Sequence, residues 1–146
     1  MCHLIFLSTD SDQGLGVLPM VRLQFERPSE SENSKLGESL RYPNKWFVTR
    51  EWGGCSCHFR CLTSESSPFS FGEPEDWYQE EADDIEATGA LYEVLSSLIR
   101  EGSRVDIVDF WEESSDGPVS EFTVSLGEVP KEQFRLGEGI MFELIA

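Results

Sequence analysis

The residues best suited to chemistry lie between Arg50 and Cys61, in the run REWGGCSCHFRC. Clustered cysteines beside a histidine could bind zinc, and a cysteine beside an arginine could become a reactive thiolate. Local geometry limits both. Gly53-Gly54 suits a two-residue loop with positive φ, so Trp46 to Cys61 reads as a β-hairpin. Its pairs are then Trp52 with Cys55, Arg50 with Cys57, Val48 with Phe59, and Trp46 with Cys61. Alternation puts those eight residues on one largely apolar face, which belongs against a core. His58 and Arg60 lie on the other face, and His58 is expected at the surface. Cys55 and Cys61 would be roughly 20 Å apart at ~3.3 Å per residue, too far to share an ion. The expectation is buried structural thiols, with no metal and no cofactor.

Arg50 is the exception on that face. An inward guanidinium must find an anion or a hydrogen-bond network. The expected partner is Asp109 of the strand RVDIVDFW, which shares a face with Val105, Ile107 and Trp111; Asp106 is the second choice. The chemical alternative is a thiol or metal site at Cys55 and Cys57 with Arg50. Elsewhere, Met1-Cys2 could expose an N-terminal nucleophile, but such enzymes need a larger layered fold than one long helix provides. Asp10-Ser11-Asp12-Gln13-Gly14 begins like a calcium loop and lacks its later ligands. His3 and His58 are too few and too separate to suggest a triad. No pattern names a reaction, so the chain points to binding rather than catalysis.

The elements that must carry these residues can be read along the chain. Short strands are expected near Leu4–Thr9 and Val21–Glu26. Residues 27–45 are polar and rich in Ser and Pro, a long mobile surface loop. Residues 63–78 form an acidic connector. One helix runs from about Glu80 or Asp83 to Glu101, with Ile85, Leu91, Tyr92, Leu95, Leu98 and Ile99 on an apolar stripe. Gly102 is placed to cap it in a left-handed conformation. Gly89, mid-helix, is expected to let the helix pack closely on the sheet. Arg104–Trp111 reads as a central strand, and Val119–Leu126 as its hairpin partner. Pro130–Phe134 can form a short helical turn, and Ile140–Ile145 a last strand. The fold expected is α+β. It is a single domain (residues 1–146) with a mostly antiparallel sheet of six or seven strands, one long helix on one face and a short helix near the C-terminus.

Charge narrows the partners. The 146 residues hold 28 acids and 11 Lys plus Arg, a net charge of −17. Residues 1–62 balance seven acids against seven bases, so the remainder carries the whole excess. Between Arg60 and Arg100 there is no basic residue. Such a field repels nucleic acid and anionic membranes, and attracts a basic protein. No run of about 20 apolar residues suggests a membrane helix. Nor does the N-terminus carry a basic leader, so a reduced, cytoplasmic setting is expected. The candidate binding residues are Glu73, Glu75, Asp76, Trp77, Glu80 and Glu81, facing a basic partner as in an immunity or regulatory protein. Nothing in the sequence fixes the oligomeric state.

Gly54-Cys55-Ser56-Cys57 with Phe59-Arg60, Glu73-Pro-Glu-Asp-Trp77, Asp84-Ile-Glu-Ala-Thr88 and Val105-Asp-Ile-Val-Asp109 together resemble a family of small, acidic, uncharacterised bacterial proteins. The similarity covers about two-thirds of the chain. That family carries Gly where this chain has His58, and implies no activity.

Overall fold

Chain segments rich in apolar residues on both faces need cover on both sides, and β1 (His3–Thr9) and β5 (Val105–Trp111) get it at the centre of a six-stranded sheet. The structure is a computed structural model that describes residues 3–17, 22–31, 39–50, 56–62, 79–111 and 120–146. The other strands of the sheet are β2 (Gln24–Glu26), β3 (Asn44–Thr49), β6 (Ser120–Ser125) and β8 (Ile140–Ile145). Their order is β2-β3-β1-β5-β8-β6. All neighbours are antiparallel except β6 and β8, which run parallel. Two short strands, β4 (Cys61–Leu62) and β7 (Leu136–Gly137), pair parallel as a separate ribbon. The architecture is α+β in a single domain, as composition and periodicity implied. No helix among the described residues is long and apolar enough to cross a membrane.

The long α-helix, α1 (Ala82–Arg100), covers one face of the sheet. Its Ala87, Leu91, Val94, Leu95 and Leu98 pack with Ile5, Leu7, Trp46, Val48, Val105, Ile107, Phe142 and Leu144. Asp83 and Asp84 occupy the first turn, where acids complement the helix dipole. The C-terminus closes as the sequence implied. Gly102 has φ +88°, its N–H bonds Ile99 O, and Ser103 N–H bonds Leu98 O, a Schellman arrangement. Ile85 departs from the expected stripe and is 43% exposed. Gly89 is tight against Lys131 of a C-terminal 3-10 turn rather than against the sheet. The short C-terminal helix is realised as two 3-10 turns, Leu126–Glu128 and Lys131–Gln133.

The opposite face holds Phe6, Phe47, Val108, Phe110 and Met141, with Phe6 stacked on Phe47 at 5.0 Å. Leu40 covers this cluster, so the end of the expected mobile loop is fastened down. Asp106 holds it there, accepting from Arg41 N–H (3.1 Å) and from the Ser8 hydroxyl.

Two pairings differ from the sequence reading. β6 lies at the sheet edge beside β8 and does not pair with β5, whose two sides are taken by β1 and β8. The second is the cysteine hairpin. β3 is flanked by β1 and β2, so both of its edges are occupied and no ladder remains for residues 56–61. Residues 56–60 leave the sheet as a loop. Ser56 inserts its hydroxyl between β1 and β3 instead, accepting from Ile5 N–H and donating to Val48 C=O. Trp52, Gly53, Gly54 and Cys55 lie outside the described residues.

Candidate functional site

Asp109 lies on the helix-facing side of β5 and is 2% exposed. Register sets its neighbours. β1 pairs with β5 so that Ile5 opposes Asp109, and alternation puts His3 diagonally on the same face. His3 Nδ1 lies 2.9 Å from Asp109 Oδ1. The β4–β7 ribbon brings in the third group: the Cys61 thiol donates to Asp109 Oδ2 at 3.2 Å. The His3, Cys61 and Asp109 donor atoms all lie within 4.8 Å of one another. The His3 side chain is 23% exposed and Cys61 is half-buried, so one side of the cluster meets solvent.

A fourth group comes from the turn between β7 and β8. Gly139, at φ +68°, folds the chain so that its N–H bonds Asp109 O at 2.9 Å. Glu138 then forms a parallel bridge with Asp109, and bridged residues direct their side chains to the same face.

Two acids, Asp109 and Glu138, set the electrostatics of the site. The Asp109 carboxylate is met by His3 and Cys61, and by no Lys or Arg among the described residues. Burial pushes its pKa above the ordinary 3.8; hydrogen bonds from His3 and Cys61 oppose this, and the Glu138 charge adds to it. For His3, burial alone would lower the pKa. The hydrogen bond to Asp109 and the charges of Asp109 and Glu138 outweigh it and raise the value above 6.5. Burial, then the Asp109 charge and hydrogen bond, push the Cys61 thiol well above 9.0. The Glu138 backbone, hydrogen-bonded to the sulfur, works the other way. Every member of the cluster therefore holds its proton more tightly than it would in water. A cysteine nucleophile needs the opposite, a lowered pKa. A bound divalent cation would reverse all three shifts, because it favours thiolate, carboxylate and neutral imidazole together.

The residues singled out from sequence are distributed differently. Arg50 is inward and 1% exposed, as expected, but its partner is not Asp109. It donates to His58 O at 2.7 Å and pairs with Asp84 of α1 at 3.4 Å. The reason is the chain direction: Arg50 follows the end of β3 beneath the start of α1, and β1 separates β3 from β5. Cys57 is half-buried in the loop, so the picture of thiols sealed under the core does not describe Cys57 or Cys61. His58 is exposed, at φ +71°, a region glycine enters most cheaply. Arg60 is buried.

Among the acidic binding residues, Glu81 is exposed just before α1. Glu80 is not available to a partner. Its side chain is buried between Arg60 and Arg135, and their hydrogen bonds lower its pKa against the effect of burial. Glu73, Glu75, Asp76 and Trp77 lie outside the described residues.

Sequence reasoning missed the cluster itself. The usable signals were an acid on the core face of a central strand and a histidine on the inward parity of the first strand. Ser56 N–H also bonds His3 O at 2.9 Å, which brings Ser56 alongside the site. No family model, curated protein or solved structure matches the chain.

Proposed function

We propose that this protein binds a divalent transition-metal ion between His3, Cys61 and Asp109, with zinc the first candidate. The observation that supports this is a buried carboxylate with imidazole and thiol donors within 4.8 Å and, among the described residues, no Lys or Arg paired with it. A mixed sulfur, nitrogen and oxygen set suits zinc and its neighbours, whereas calcium and magnesium take oxygen ligands alone. Three protein ligands leave one tetrahedral position, and Glu138 is the next acid on that face.

The test is calorimetric titration of metal-free protein with Zn²⁺, alongside Co²⁺ substitution. Binding should release protons, because thiol and carboxyl must ionise. Cobalt should give a sulfur-to-metal absorption band that Cys61→Ser abolishes. Absence of binding, or binding that survives Cys61→Ser and His3→Ala, overturns the proposal.

A second reading keeps the acidic surface as a contact for a basic protein. What favours it is Ile85, an exposed apolar side chain on α1 with the acidic Glu81, Asp83 and Glu86 exposed around it. Association through that face should weaken steeply with added salt, and a salt-independent complex would contradict it.

A further inference from the structure

Cys61 reaches Asp109 from a strand of two residues, and a two-residue ribbon has too few ladder bonds to hold its own register. Something else must place it. Arg60 immediately precedes Cys61, and Arg135 immediately precedes Leu136, the residue paired with Cys61. Both guanidinium groups close on the one carboxylate of Glu80. Arg60 Nε lies 3.0 Å and Nη2 2.9 Å from Oε1; Arg135 Nε lies 2.9 Å from Oε2 and Nη2 3.1 Å from Oε1. All three side chains are at most 7% exposed.

The remaining nitrogens grip the same segment. Arg60 Nη1 donates to Glu132 O at 2.6 Å, and Arg135 Nη1 to Gln133 O at 3.1 Å. The backbone is tied as well. Leu136 N–H bonds Arg60 O at 3.1 Å, and Arg60 N–H bonds Thr88 Oγ1 of α1 at 2.9 Å. A buried ion cluster is a poor source of stability compared with apolar packing, but its geometry is highly specified.

Building on the metal reading, we infer that Glu80 is the positioning residue of the site: by clamping Arg60 to Arg135 it fixes β4 against β7, and so sets where the Cys61 sulfur and the Glu138 segment meet Asp109. Glu80 touches no donor atom of the cluster and acts only through the two arginines.

The experiment titrates Co²⁺ into the wild-type full chain and into Glu80→Gln, with circular dichroism to establish folding. An amide oxygen in the Oε1 place still accepts from Arg60 and from Arg135 Nη2, but the amide turns its NH₂ toward Arg135 Nε and removes the charge that holds two guanidinium groups. The variant should bind cobalt at least about tenfold more weakly, the lower end of what loss of supporting interactions costs metal sites. Its sulfur-to-metal band should also shift or weaken. Wild-type affinity and an unchanged band in folded Glu80→Gln overturn the inference, even if the melting temperature falls. If Glu80→Gln does not fold, Arg135→Lys, which keeps the charge and gives up the two-point grip on Glu80, takes its place; weaker cobalt binding supports the inference and unchanged binding overturns it. Failure of the wild type to bind cobalt removes the metal reading and this inference together, whereas equal binding by wild type and variant removes this inference alone.

Discussion

Replacing Asp109 with Asn should stabilise the metal-free protein and abolish its stabilisation by metal. Asn preserves the shape. Its oxygen can still accept from Cys61, and its NH₂ can donate to His3 Nδ1 in the tautomer protonated at Nε2, so both hydrogen bonds of Asp109 survive in neutral form. What disappears is a buried negative charge. Its desolvation costs several kcal/mol, against which stand two charge-assisted hydrogen bonds of about 1.5–3 kcal/mol each. The raised pKa of Asp109 fixes the sign of the difference: the folded state disfavours the ionised form. A carboxyl with a raised folded pKa destabilises the fold above that pKa, and the penalty vanishes as pH drops below the unfolded value near 3.8.

The expected net gain on substitution is about 1–2 kcal/mol, or roughly 2–8 °C in melting temperature for a chain of this size. The assay is thermal unfolding with a chelator and a non-chelating reductant at about pH 8.5, above the ordinary histidine range. Zinc at about a hundredfold over its dissociation constant should then stabilise the wild type by about 2.7 kcal/mol and leave the variant unmoved. The two proteins should exchange rank on adding metal. A melting temperature several degrees lower for metal-free Asp109→Asn would show that Asp109 exists to pair with a charged His3. Equal stabilisation of both by zinc would place the ion elsewhere.

Glu80 gives the opposite pH dependence. Its pKa is held below 4.5 despite burial by Arg135 and Arg60. The stability it contributes is therefore complete above about pH 4.5 and is lost as pH falls through the lower folded value. Melting temperatures of wild type and Glu80→Gln should converge on acidification through that window; a constant gap would contradict the clamp's charge. Two left-handed positions should respond in opposite senses. Gly102→Ala, at φ +88°, should lose about 1 kcal/mol in urea unfolding, whereas His58→Gly, at φ +71°, should be neutral or gain up to about 1 kcal/mol. A tolerated Gly102→Ala would mean that the turn after α1 relaxes.

The sequence by itself determined what periodicity, capping and composition control. The helix followed from its apolar spacing and from the acids and glycine at its ends. The central position of Val105–Trp111 followed from apolar residues on both faces, and the inward setting of Arg50 and Asp109 from alternation. These are local properties, fixed by 3.6- and 2-residue repeats. The partner of each inward charge was not local. Arg50 and Asp109 looked complementary, yet β1 lies between their strands, and each found a nearer group: Asp84 for one, His3 and Cys61 for the other. The cysteine hairpin failed for a similar reason, since its outer ladder was already occupied by β2. The site joins residues 3, 61 and 109, with residue 138 beside them. Only the β1–β5 register, the β4–β7 ribbon and the turn at Gly139 bring them together. Strand order is set by the total burial of all six strands at once, a quantity that no single segment carries.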